Sequence, residues 1–161
     1  MARTGFALGN PGGVEKGPLL IPANTEIAAV EAAEQAGYGI TDLRLHFRNN
    51  DGTSIPGTPI SGWITGNGPN ANYIGTVLIP VDEKFAGFVV IEQAGFGVVN
   101  LRIKKMKRSD GSSLMSSALV VANQNQNNSA ELDLPAGTIA EGIVCREQAG
   151  YGVIDLAIDY H

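Results

Sequence analysis

Three copies of one phrase carry most of the polar side chains that are grouped closely enough to do chemistry. They are Glu34-Gln35-Ala36-Gly37-Tyr38-Gly39, Glu92-Gln93-Ala94-Gly95-Phe96-Gly97 and Glu147-Gln148-Ala149-Gly150-Tyr151-Gly152. Asp42, Asn100 and Asp155 follow them at one fixed distance. An aromatic face beside a carboxylate and an amide suits a sugar: the ring packs on C–H groups while the polar chains take hydroxyls. The candidate ligand contacts are therefore Glu34, Gln35, Tyr38 and Asp42; Glu92, Gln93, Phe96 and Asn100; and Glu147, Gln148, Tyr151 and Asp155. Three weak sites on one rigid body would gain by multivalency on a dense surface. A structural reading competes with this one. Glycines supply backbone angles for a tight corner, the polar chains satisfy buried amides, and the ring covers a sheet edge.

Differences between the copies narrow the chemistry. The second has Phe96 and Asn100 where the others have tyrosine and aspartate. Any shared function must survive the loss of one phenol hydroxyl and one charge, which argues against a catalytic carboxylate in every copy. Cys145 is the single cysteine and has no evident histidine partner, so neither a disulfide framework nor a cysteine nucleophile is expected. The two histidines, His46 and His161, are far apart in sequence. We expect no enzyme activity, no cofactor and no metal.

Five of the eleven basic residues fall within seven positions: Arg102, Lys104, Lys105, Lys107 and Arg108. A solvated hairpin end is the plain reading. The sharper one makes Lys104, Lys105, Lys107 and Arg108 a contact for anionic lipid headgroups or acidic glycans, worth about 1 kcal/mol per basic residue near a charged membrane. The overall net charge of −5, and the lack of interleaved aromatics, argue against nucleic acid as a partner.

The elements that position these residues are legible in the repeat. Pro22, Pro80 and Pro135 each precede the phrase by 12 residues. Successive copies are 58 and 55 residues apart, and joining the end of the chain to its start closes the third interval at 48. This predicts one domain over 1–161, with motifs at 34–45, 92–103 and 147–158 and the third repeat completed by the N-terminal segment. An open solenoid would need capping units; three units closing on themselves predict a pseudo-threefold axis. After each phrase the period is two: Leu43, Leu45 and Phe47 alternate with Asp42, Arg44 and His46. Val30, Phe88 and Ile143 share a phase with Ala32, Val90 and Cys145, and we assign it to the core. Glycine is abundant, at 21 residues, and charge is low, at 17%, which favours strands and turns.

Three sets of four strands follow: near 40–47, 60–64, 72–79 and 85–91; near 97–105, 115–121, 129–134 and 139–146; and near 152–159, 4–8, 18–21 and 26–33. Residues 26–35 have helical propensity, but their counterparts do not, so symmetry makes them a strand. The expected fold is all-β: a type I β-prism of three four-stranded antiparallel sheets, with a β-trefoil as the alternative. The trefoil fits less well, because its repeats are shorter and the sole tryptophan is Trp63.

The unit of apolar strand, Glu-Gln, Gly-aromatic-Gly and Asp/Asn-Leu-Arg-Leu resembles the repeat of the vitelline membrane outer layer protein. It is similar also to the β-prism modules attached to bacterial membrane-attack-complex/perforin proteins. The resemblance implies the prism fold and a place among surface-recognition modules. The N-terminus has no apolar stretch, so no secretory signal is expected, and the chain is read as cytoplasmic or released by another route; the sequon Asn127-Asn128-Ser129 carries little weight without secretion. The functional expectation is lectin-like binding of cell-surface carbohydrate. A membrane-binding module or component of a pore-forming or insecticidal toxin, and a structural coat or matrix protein, are the alternatives. Self-association is open in each case.

Overall fold

Three long hairpins organise the chain, each folding back at one copy of the phrase. β3 (Thr25–Gln35) pairs with β4 (Gly39–Asn49), β6 (Glu83–Gln93) with β7 (Gly97–Lys107), and β9 (Ala140–Gln148) with β10 (Gly152–Tyr160). The last pairs before the tips are Gln35↔Gly39, Gln93↔Gly97 and Gln148↔Gly152. A computed structural model describes residues 1–161 apart from Gly37, Pro69, Asn70, Gly95, Phe96 and Gly150. A third strand joins each hairpin: β5 (Tyr73–Leu78) on β3, β8 (Asn128–Asp133) on β6 and β2 (Val14–Leu20) on β9. β1 (Ala2–Arg3) adds to β10, giving antiparallel sheets ordered β1-β10-β9-β2, β4-β3-β5 and β7-β6-β8. Residues 26–35 are extended despite their helical composition. As a strand this segment buries Ile27, Val30 and Ala32 in the core, and burial outweighs propensity differences of a few tenths of a kcal/mol per residue.

The fourth ribbon of each sheet departs from expectation. The sequence predicts strands near 60–64, 115–121 and 4–8, but these segments form no regular ladder. Backbone amides of Ser61 and Ile64 donate to the carbonyls of Leu45 and Leu43; those of Ser117 and Val120 to Ile103 and Leu101; and those of Thr4 and Ala7 to Ile158 and Leu156. Three residues of the outer segment thus span the length of two on the strand, so the pleat cannot stay in step. A hydroxyl replaces the missing carbonyl. The amides of Leu45, Ile103 and Ile158 donate to Ser61 Oγ, Ser117 Oγ and Thr4 Oγ1 at 2.9 Å each.

The core fills the space between the three sheets. Val30, Ala32, Phe88, Val90, Ile143 and Cys145 are all fully buried, in the expected phase. Burial pushes the Cys145 thiol up to about 12, so it remains a neutral apolar side chain. Where the hairpins converge, the last glycine of each phrase makes the contact. Gly39, Gly97 and Gly152 have φ of 77, 75 and 76°. A Cβ on them would lie 2.7, 2.8 and 2.6 Å from the carbonyl oxygens of Val98, Val153 and Ile40. Each glycine therefore touches the next repeat in cyclic order, and the ring closes after three. The result is a type I β-prism.

Candidate functional site

The three hairpin tips lie at one pole of the prism. Main-chain turns set the first and third: the amides of Tyr38 and Tyr151 donate to the carbonyls of Gln35 and Gln148 at 3.0 and 2.9 Å. Two asparagines outside the repeated phrase fasten the tips from the adjacent strand starts. The amide of Ala36 donates to Asn72 Oδ1 at 2.9 Å, and that of Ala94 to Asn127 Oδ1 at 2.7 Å. Held this way, Tyr38 and Tyr151 remain 43% and 41% exposed. Phe96 lies outside the described residues.

A cleft of about 390 Å³ opens between the first and third tips. It is lined by Gln35, Tyr38, Thr41, Asn67, Glu147 and Gln148, with Ala149 and Gly152 on its third-repeat side. Asn67 Nδ2 donates to Glu147 Oε2, tying the loop of one repeat to the tip of another. Asn10 Nδ2 makes the equivalent bond to Glu92 Oε2 at 2.6 Å. Among the described residues Glu34 has no such partner, and burial raises its pKa above the usual carboxylate value. The strand pairs that lead into the three tips are thus alike, while their glutamates differ in electrostatics. Trp63 lies beneath the loop that carries Asn67. A Cβ on Gly68 would collide with its ring, and the Arg44 guanidinium covers the ring centroid at 4.4 Å.

Asp42, Asn100 and Asp155 are not available to a ligand. All three are fully buried. A bulge at Thr41, Val99 and Ile154 turns them toward the outer segment rather than to solvent. Asp42 accepts from the amides of Leu43, Thr65, Asn67 and Gly68 at 2.6–3.0 Å. Asp155 accepts from Leu156, Leu8 and Asn10 at 2.8–3.0 Å. Asn100 Oδ1 accepts from Leu101 and Val121, while its Nδ2 donates to the carbonyls of Val121 and Asn123. These residues clamp loops. The face expected to be wet is covered at this end by the segments they hold.

The basic cluster is largely neutralised. Lys104 Nζ pairs with Glu131 at 3.0 Å and also with Asp133. Lys105 pairs with Glu83 at 2.9 Å, and Arg108 with Glu26 at 2.5 Å. Arg108 also donates to the carbonyls of Val81 and Asn50. Lys107 is exposed. The expected four-cation contact therefore reduces to one lysine without an acid partner among the described residues. Among those residues, too, no group of three or more His, Cys, Asp or Glu is placed to hold a metal ion, and no helix is long and apolar enough to cross a membrane.

This architecture is shared with lectins of solved structure. The chain superposes on Calystegia sepium agglutinin with a TM-score of 0.57 at 18% identity, over 99% of this chain and 95% of that one. The Calsepa lectin in complex with a bisected glycan gives 0.59 at 17% identity, over 99% and 97%. The mannose-binding lectin from Champedak gives 0.57 at 13%, over 99% and 96%. At such identities the likeness is one of fold. No family model matches the chain, and no curated protein matches it.

Proposed function

We propose that this protein is a non-enzymatic, lectin-like recognition protein that binds carbohydrate at the pole of hairpin tips. The observation that carries this reading is the cleft between the first and third tips. There an exposed tyrosine, two glutamines, an asparagine and a carboxylate converge on one open space. Sugar recognition needs an apolar face for C–H groups beside planar polar groups for hydroxyls. Tyr38 supplies the face; Gln35, Asn67, Glu147 and Gln148 supply the donors and acceptors. That solved neighbours of the same fold include lectins, three of them in complex with carbohydrate, supports the reading. So does the resemblance to the vitelline membrane outer layer protein and perforin-attached modules, which sets the chain among surface-recognition modules. The lipid reading is weaker, because three of its four cations are already paired.

A glycan array followed by titration of the single tryptophan tests this. Trp63 sits under the Asn67 loop, so occupancy of the cleft is expected to change its emission. Tyr38→Ala should weaken binding at least tenfold, and Gln148→Ala several-fold, without loss of fold. Absence of binding across the array, or unchanged titration curves for both variants, would overturn the proposal.

A further inference from the structure

The opposite pole holds a larger opening, about 750 Å³, at the far ends of the same hairpins. Its floor is apolar and drawn from all three repeats, including Ile27 of the first, Phe85, Met106 and Leu134 of the second and Ala140 of the third. Its rim carries large apolar side chains left in solvent: Met1 is 78% exposed, Leu20 59% and Ile139 58%. One acidic side chain in the lining is not called for by the repeated backbone. Glu141 is the extra residue of a bulge in β9, where Asp159 pairs with Gly142 and Tyr160 with Ala140. The matching bulges in the other repeats hold Ala28 and Ala86. All three do the same backbone work: their carbonyls accept from the amides of Ile21, Ile79 and Leu134 at 2.8–2.9 Å. Alanine therefore suffices at this position, and the acid is an addition peculiar to the third repeat. Its Oε1 meets His161 Nδ1 at 2.5 Å, while Oε2 is covered and has no hydrogen-bond partner among the described residues. The other lining acid, Glu26, is already held by Arg48 and Arg108.

We propose that this pole is a second binding site, for a small hydrophobic molecule carrying one hydrogen-bond donor, a hydroxyl or an amine. The volume suits a single ligand of drug-like size. The apolar floor supplies the affinity. The unpaired Glu141 oxygen accepts the donor; the neighbouring His161, bonded to the other oxygen, is largely exposed and free to give way to a ligand. An unpaired acceptor in a covered site is costly, and a donor-bearing ligand removes that cost. A carboxylate ligand would be repelled there.

N-phenyl-1-naphthylamine, an apolar fluorophore with one N–H, is the probe. Titrated against the full chain, it should give saturable enhancement at one site per molecule. Ile139→Arg, at an exposed position that folding does not need, should weaken it at least tenfold. The N-methyl analogue, which lacks the donor, should bind several-fold more weakly, and Glu141→Leu should erase that difference. No saturable enhancement, or equal affinity in Ile139→Arg, would overturn the site. Phosphatidylcholine vesicle binding that Ile139→Arg abolishes, without probe binding, would assign the rim to a bilayer and overturn it. A dimer dissociated by the same variant would assign the rim to a second copy and overturn the ligand site equally. Glycan binding at the other pole is independent of each result.

Discussion

Aspartate and asparagine alternate at positions 42, 100 and 155 for a reason that lies in what each faces. Asp42 meets four amide donors, so a carboxylate is required. Asn100 meets two carbonyls through its Nδ2, so an amide is required. The two are not interchangeable despite their equal size. Asp42→Asn should turn an NH2 group against the Asn67 and Gly68 amides, and Asn100→Asp should turn a carboxylate against two carbonyls. Each should cost roughly 2–4 kcal/mol by leaving buried groups unpaired, read as a lower denaturant midpoint. Glu34 offers a test of the opposite sign. Burial raises its pKa above the ordinary 4.5, so the folded state favours the protonated carboxyl. That contribution is fully present below the unfolded value and lost as pH rises through the folded one. At neutral pH ionised Glu34 opposes folding. Glu34→Gln should therefore raise Tm at pH 7 and leave it nearly unchanged below the ordinary carboxylate range; thermal melts across that range decide it.

At the level of elements, the outer segments depend on three hydroxyls. Ser117→Ala removes the acceptor of the Ile103 amide. It should cost about 1 kcal/mol and speed hydrogen exchange at Ile103 more than at Leu101, measurable by NMR. These segments also mark the limit of what the sequence discloses. The hairpins are legible because alternation and the thrice-repeated phrase agree on them. The core phase of Val30, Phe88 and Ile143 follows from the same alternation. The outer ribbons read as regular strands in the sequence and are not, because their three-to-two advance produces no period of two. Bulges hide in the same way: an extra residue at Thr41, Val99 or Ile154 reverses the apparent face of the next side chain. Asp42, Asn100 and Asp155 read as surface residues for another reason: the alternation gives their face but not the outer segment that covers it. Ion pairing across strands is equally invisible in the sequence. Lys104 meets Glu131 and Asp133 only because β6 lies between β7 and β8. Asn67 and Asn10 give no motif signal, since each acts on a different repeat from its own.

For the molecule as a whole, the symmetry is one of backbone and the individuality one of side chains. The three proline turns are equivalent, with amides of Thr25, Glu83 and Thr138 donating to the carbonyls of Pro22, Pro80 and Pro135 at 3.0–3.2 Å. The glycine contacts close in the same cyclic order. The two poles nevertheless differ sharply. One presents tyrosines and amides around its cleft, the other large apolar side chains around an acid, Glu141, with one unpaired oxygen. Occupation of one pole should leave the other available, so a saturating sugar should not displace the naphthylamine probe.

The edge strands β1 and β2 lie within the first twenty residues of the chain, yet they belong to the sheet built by its last twenty-two. The backbone therefore makes a full circuit, and where it is cut matters little to the packing inside. Joining His161 to Met1 through a short glycine-serine bridge and reopening the chain in the polar stretch 123–126 should yield a rewired protein of the same shape. Its circular dichroism should match the parent. The order of translation, unlike the order around the axis, is then a free variable for anyone wishing to display a peptide at either pole.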